Sequence, residues 1–181
     1  PQGSCSPTSA QRPPRNTIIA APDSGRGARR PYTKCWDTNV GQFLYVVDLQ
    51  TGALVRKLGA GLAGFTPTPT GSPLTGAPAL YSGTSGTVTT RAYIGDADGT
   101  LWRADFSSRD PAQWWMSDEF DLYWGAAYNA GQPIIERPVL TVGTRGELTI
   151  AFGSGDPELL DDTTNEYRIA SFTETTAADS G

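Results

Sequence analysis

The feature that most constrains this chain is a strand pattern that recurs along it. Residues 91–108 (RAYIGDADGTLWRADFSS) predict a β-hairpin, because two alternating strand segments flank a turn of Asp and Gly residues. Residues 43–58 (FLYVVDLQTGALVRKL) have the same form, with a strand that ends in Asp, a Gln-Thr-Gly turn and an outgoing strand. Asp48 and Asp105, which close the equivalent strands, are 57 positions apart.

Two further landmarks repeat at almost the same interval. Gly95 and Gly153 end similar strands 58 positions apart, and Pro78 and Pro138 precede similar strands 60 positions apart. A period of this size, built from short strands, predicts a β-propeller or a β-solenoid. The alternative is a set of unrelated hairpins in an ordinary β-sandwich.

The predicted strands divide the chain into a lead-in and three units. Residues 1–15 read as an extended linker, and residues 16–181 as a propeller segment with blades at about 16–58, 72–124 and 132–181. That is about two and a half to three blades of four antiparallel strands, whereas propellers typically have four to eight. We therefore expect the rest of the ring to come from a larger parent polypeptide. Residues 59–75, rich in Gly, Pro and Thr, are expected to run over the surface.

The composition supports an all-β fold and argues against some classes of partner. The chain has 21 Gly and 14 Pro residues, and no amphipathic helical run survives between them. Its net charge of −5 argues against nucleic acid as a partner. No stretch approaches the roughly 20 apolar residues of a membrane-spanning helix, so we predict no transmembrane segment.

The only two cysteines are Cys5 and Cys35. Neither has a second Cys or a His at the spacing of a zinc site, and the chain contains no His. We predict one disulfide that ties the N-terminal segment to the first blade, which favours an oxidising compartment outside the cytoplasm. Two buried free thiols are the alternative.

The segments LYVVDLQTGALVRKL, AYIGDADGTLWRADFSS, GQPIIERPVL, GELTIAFGSGD and YRIASFTE together resemble the C-terminal propeller of the PilY family. The resemblance covers about residues 16–174 and is most specific at residues 95–107. It implies a quinoprotein-like β-propeller in a secreted protein at the tip of the bacterial type IV pilus or on the cell surface. It also implies roles in pilus assembly, retraction control and cell adhesion. The implied partners are minor pilins or other proteins of the pilus tip, and host or surface ligands.

Residues able to carry chemistry are few. Without His, the Ser-His-Asp and Cys-His arrangements cannot be built, so we predict no catalytic residues and no enzyme activity. Asp96 and Asp98 are candidate calcium ligands, although Asp in a hairpin turn also bonds its own backbone. For Asp48 and Asp105 we predict hydrogen bonds from the following turn amides rather than catalysis.

An aromatic-rich stretch, residues 114–124 (WWMSDEFDLYW), is the candidate binding surface through Trp114, Trp115, Tyr123 and Trp124. Packing at a blade edge is the alternative for these side chains. Three functions remain open. They are a non-catalytic interaction platform, a quinone-dependent dehydrogenase with a cofactor and calcium in the channel, and a carbohydrate-binding propeller.

Overall fold

The computed structural model describes residues 19–20, 41–59, 62, 65–66, 72–83, 88–97, 99–121, 133–155 and 167–174. Strands make up 53% of the structure and helix 3%, which confirms the all-β prediction. The helix is one 3-10 turn at Pro111–Gln113, where the Asp110 side chain accepts a hydrogen bond from the Ala112 amide.

The strands of the described residues form three sheets, numbered here I to III. Sheet I has the order β1-β2-β3, with β1 at Ile19–Ala20, β2 at Phe43–Val47 and β3 at Leu54–Gly59. Sheet II has the order β4-β8-β7-β6-β5, with β4 at Phe65–Thr66, β5 at Ala79–Tyr81, β6 at Arg91–Gly95, β7 at Thr100–Asp105 and β8 at Trp115–Asp121. Sheet III has the order β11-β10-β9, with β9 at Val139–Val142, β10 at Leu148–Gly153 and β11 at Ile169–Glu174. All pairs are antiparallel except β4 with β8.

Both predicted hairpins are present, β2 with β3 and β6 with β7, because alternating side chains and turn residues agree locally. The turns need a backbone that favours Gly, with φ of 70° at Gly52 and 93° at Gly99. We predicted blades of four antiparallel strands, with the incoming strand missing from the first blade and the outgoing strand missing from the last. Within the described residues, sheets I and III have three strands and sheet II has five, because β4 adds to the edge of β8.

Sheet II lies between the other two sheets, and each of its faces forms one hydrophobic core. The core with sheet I contains Leu44, Leu58, Leu74, Ala92, Ile94, Trp102, Ala104, Phe106 and Met116. The core with sheet III contains Tyr93, Leu101, Ile134, Leu148, Ile150 and Phe152. Burial is therefore nearly continuous along β6 and β7, because both faces of sheet II are covered.

The links between successive sheets repeat as well. The Leu74 amide donates to the Gly41 carbonyl at 2.7 Å, and the Ile134 amide donates to the Asp96 carbonyl at 2.9 Å. Leu74 and Ile134 are both buried and stand 60 positions apart. Each follows a Pro residue, and the carbonyl of that Pro accepts a hydrogen bond from a backbone amide of the next sheet along the chain. The same backbone connection therefore joins sheet I to sheet II and sheet II to sheet III.

The connector before sheet II was predicted wrongly in one respect. Residues 72–74 do not run over the surface, because Ser72 and Leu74 are buried and Leu74 belongs to the core between sheets I and II. A single aliphatic side chain beside a Pro is enough to dock an otherwise polar segment, since burying a Leu contributes roughly 1.5–3 kcal/mol.

Candidate interaction site

A cluster of charged side chains lies where the end of β11 meets sheet II. The Glu174 carboxylate is almost fully buried, with Oε2 2.6 Å from Arg91 Nη1 and 3.0 Å from the Tyr93 hydroxyl, which donates to it. Its other oxygen, Oε1, lies 2.6 Å from Arg103 Nη1, a charge contact whose angles are not those of a hydrogen bond. The carboxylate of sheet III is thus held by three side chains of sheet II.

Asp105 adds a second carboxylate to this cluster. Its Oδ2 lies 3.3 Å from Arg103 Nη2 and 4.0 Å from Arg91 Nε, and its Oδ1 accepts hydrogen bonds from the amide and the hydroxyl of Ser107. The cluster therefore holds two positive and two negative side chains, so each formal charge has an opposite partner. Such compensation is typical of a structural link between sheets rather than of acid–base chemistry.

The protonation behaviour of the cluster follows from burial and charge. Burial acts to raise the pKa of Asp105, but the hydrogen bonds from Ser107 and the contact with Arg103 outweigh it, so the pKa lies below the ordinary 3.8. Asp105 therefore contributes stability above its ordinary pKa and loses it as the pH falls through the lowered value. Burial raises the pKa of the Tyr93 hydroxyl, and the negative charge of Glu174 raises it further.

Arg91 keeps its charge in this setting. Burial acts to lower the pKa of its guanidinium, but the charge of Glu174, followed by the contact with Tyr93, raises it above its ordinary value. The guanidinium therefore stays positively charged, as arginine side chains do in proteins.

Two aromatic rings lie between the charged cluster and the surface. The Arg103 guanidinium lies 5.1 Å from the centre of the Trp115 ring, and the Arg91 guanidinium lies 5.9 Å from the centre of the Tyr81 ring. Trp115 is 36% exposed, so its indole is held by Arg103 on a partly open surface. This group of Trp115, Arg103, Arg91 and Tyr81, called the rim patch below, is a candidate contact surface.

The predicted aromatic surface is divided by the structure. Trp115 belongs to the rim patch, whereas Trp114 packs against Phe106 with ring centres 5.2 Å apart and donates from its indole to the Ser108 carbonyl at 2.8 Å. Trp114 therefore has the packing role that was the alternative reading. Tyr123 and Trp124 lie outside the described residues.

The candidate calcium ligand Asp96 has a structural role in the fold. Its Oδ1 accepts the Thr100 amide at 2.8 Å, and its Oδ2 accepts the Trp102 indole N–H at 2.9 Å. Asp98 lies outside the described residues, so calcium binding by the pair stays a prediction. Within the part of the chain that the structure describes, no group of three or more Cys, Asp or Glu side chains is placed to hold a metal ion.

The other predicted roles have mixed outcomes. Asp48 Oδ1 accepts the Gln50 and Thr51 amides at 3.1 and 2.7 Å, and the Thr51 hydroxyl bond lowers the pKa of Asp48 most, so the predicted turn bonds are confirmed. Cys5 and Cys35 lie outside the described residues, and their disulfide stays a prediction.

Sequence reasoning missed the charged cluster. Arg103 and Asp105 stand two positions apart and so share one face of the predicted strand, which is a signal that this face is not purely apolar. Glu174, however, lies 83 positions from Arg91, and no local pattern relates the two.

Comparisons with protein-family models, with curated proteins and with solved structures found no match to this chain. No helix among the described residues is long and apolar enough to span a membrane.

Proposed function

We propose that this chain is part of a β-propeller in a secreted type IV pilus-associated protein, where it serves as a non-catalytic interaction platform. The observation that carries the proposal is the repeated stacking. Three sheets are joined by the same backbone connection at Leu74 and Ile134, 60 positions apart. Serial stacking of short antiparallel sheets through their faces is the arrangement that propellers use.

The roles of the polar side chains support binding rather than catalysis. Asp48 and Asp105 accept hydrogen bonds from their own turns, and Asp96 holds the Trp102 indole. Each of these three carboxylates is therefore engaged in local structure. The rim patch instead offers a partly exposed indole backed by a guanidinium, and Trp and Arg are the residue types enriched at binding hot spots.

The test is binding of the purified chain to purified minor pilins, measured by surface plasmon resonance with the chain immobilised. We expect at least one pilin to bind, with affinity about tenfold or more weaker for Trp115→Ala, because a central aromatic at an interface contributes about 2 kcal/mol or more. Val88→Ala is the matched control, since Val88 is exposed and is not one of the four residues of the rim patch. Absence of binding to every pilin, or equal affinities for Trp115→Ala and the wild type, would refute the proposal.

A carbohydrate-binding propeller is the second candidate, favoured by the partial exposure of Trp115. A glycan array probed with the same wild-type, Trp115→Ala and Val88→Ala proteins separates the two. Glycan binding that is lost only in Trp115→Ala, together with no pilin binding, would replace the pilin proposal with this one.

A further inference from the structure

The strand register identifies equivalent positions in the three sheets. Leu44 and Leu101 each stand four positions before the Asp that closes its strand, Asp48 or Asp105. Leu101 pairs with Gly95, and Ile169 pairs with Gly153, the glycine 58 positions later, so Ile169 is the sheet III counterpart of Leu101.

These equivalent side chains differ sharply in exposure. Leu44 and Leu101 are 0% exposed because sheet II covers the first and sheet III covers the second, but Ile169 is 91% exposed. A second position behaves in the same way. Ala79 pairs with Tyr93, which stands two positions before Gly95, and Val139 pairs with Ala151, which stands two positions before Gly153. Ala79 and Val139 are therefore equivalent, yet Ala79 is 5% exposed and Val139 is 61% exposed.

The side of sheet III that faces away from sheet II, called the leading face below, carries no charged side chain within strands β9 to β11. Beside the two large aliphatic side chains it carries only small or hydroxyl-bearing ones, namely Thr141, Thr149, Ala151, Ser171 and Thr173. Thr149 and Thr173 bond each other through their hydroxyls at 3.0 Å, and the aliphatic part of the face consists of Val139, Ala151 and Ile169. An exposed apolar sheet face of this kind is a docking surface or an aggregation hazard.

The opposite end of the stack supplies a complementary surface. The outer side of sheet I, called the trailing face below, carries Tyr45, Val47, Leu54 and Lys57, opposite the side that packs on sheet II. Tyr45 and Val47 stand 57 positions before Trp102 and Ala104, which are the sheet II residues buried against sheet I. The two ends of the stack are thus the two halves of an interface that the chain already forms twice within itself.

We propose that the leading face of sheet III binds the trailing face of sheet I in a second copy of this chain. The inference rests on the repeated stacking in the proposed function, but not on any pilus partner. Because two different faces meet, the contact is heterologous, and further copies can add in a ring or a row. A three-stranded face about 20 Å long covers on the order of 300 Å², below the roughly 800 Å² per partner of a stable complex, so the association is weak.

Sedimentation velocity of the full 181-residue chain at rising concentration tests the proposal. We expect the weight-average mass to increase between about 10 and 500 µM, the range of weak complexes. Ile169→Asp and Val139→Asp each place a charge on the leading face, and we expect the apparent dissociation constant to weaken about tenfold or more in both. Val88→Asp, the same change at an exposed site on neither face, should associate like the wild type.

A mixing experiment tests the head-to-tail geometry. Leu54→Asp disables the trailing face, whereas Ile169→Asp disables the leading face, and each variant retains the other face intact. We expect each variant alone to remain monomeric and their equimolar mixture to form a heterodimer that stops at two copies. Circular dichroism checks that every variant used is folded. If one of the two leading-face variants fails to fold, the other still tests that face.

Each other result overturns the proposal. A wild type that stays monomeric at the highest concentration shows that the faces do not bind each other. A Val88→Asp loss equal to that of Ile169→Asp shows nonspecific association, and a Leu54→Asp protein that associates like the wild type shows that sheet I takes no part. None of these outcomes bears on pilin binding, so the two proposals fail separately.

Discussion

Replacing Glu174 by Gln measures how much the buried charge cluster holds sheet III against sheet II. The substitution keeps the size of the side chain and one acceptor oxygen but removes the negative charge. Two guanidinium groups and one hydroxyl, all within 3.0 Å of the carboxylate, then lose a charged partner.

The magnitude follows from the surroundings. Removing one partner of a fully buried ion pair costs about 3–5 kcal/mol, since the other charge stays buried without compensation. Here Arg91 and Arg103 are 20% and 19% exposed and both still face Asp105, so water and the remaining carboxylate offset part of the loss. We expect the free energy of unfolding to fall by about 2 kcal/mol, which is within the range for a hydrogen bond to a charged group and below that for a buried pair.

Urea unfolding at pH 7, followed by tryptophan fluorescence, measures this change as a shift of the midpoint at constant m-value. For a chain of this length the melting temperature should fall by about 4–8 °C, since each kcal/mol corresponds to about 2–4 °C. The loss should persist in about 0.5 M NaCl, because salt screens a buried pair much less than an exposed one.

Glu136→Gln is the matched control, since Glu136 is exposed and precedes β9 in the same sheet. It should change stability by no more than about 0.5 kcal/mol. If Glu174→Gln proves equally mild, the cluster is no more than a surface ion pair and the reasoning about its burial is wrong.

Three further changes test other parts of the structure. Tyr93→Phe should be less stable than the wild type at pH 7, and this difference in stability should shrink above pH 10.0, the ordinary tyrosine pKa. The reason is that the raised pKa of Tyr93 favours the protonated hydroxyl in the folded protein. A difference that stays constant in chemical denaturation at several pH values would contradict this. Trp102→Phe should cost about 2–4 kcal/mol, since it strips the indole donor from the buried Asp96 carboxylate and leaves a void; a thermal melt matching the wild type would contradict it. Gly95→Ala should lower the free energy of unfolding by about 1–3 kcal/mol, because the new Cβ would overlap the Ile134 side chain. Unchanged urea unfolding would exclude that contact.

Several features could be predicted from the sequence because their causes are local. The hairpins of sheets I and II follow from alternation over a few residues and from Gly in the turns. The bonds accepted by Asp48 and Asp105 were predictable for the same reason, since their donors lie only two or three positions away.

The stacking of the sheets determined the rest. The Glu174 carboxylate meets Arg91 and Tyr93 only because sheet III lies on sheet II, and that contact spans more than 80 positions of chain. Stacking likewise decides that Leu101 is buried while its counterpart Ile169 is exposed, although both are aliphatic residues on similar strands. A strand pattern specifies which side chains share a face, whereas the burial and charge partners of that face depend on which sheet, if any, covers it.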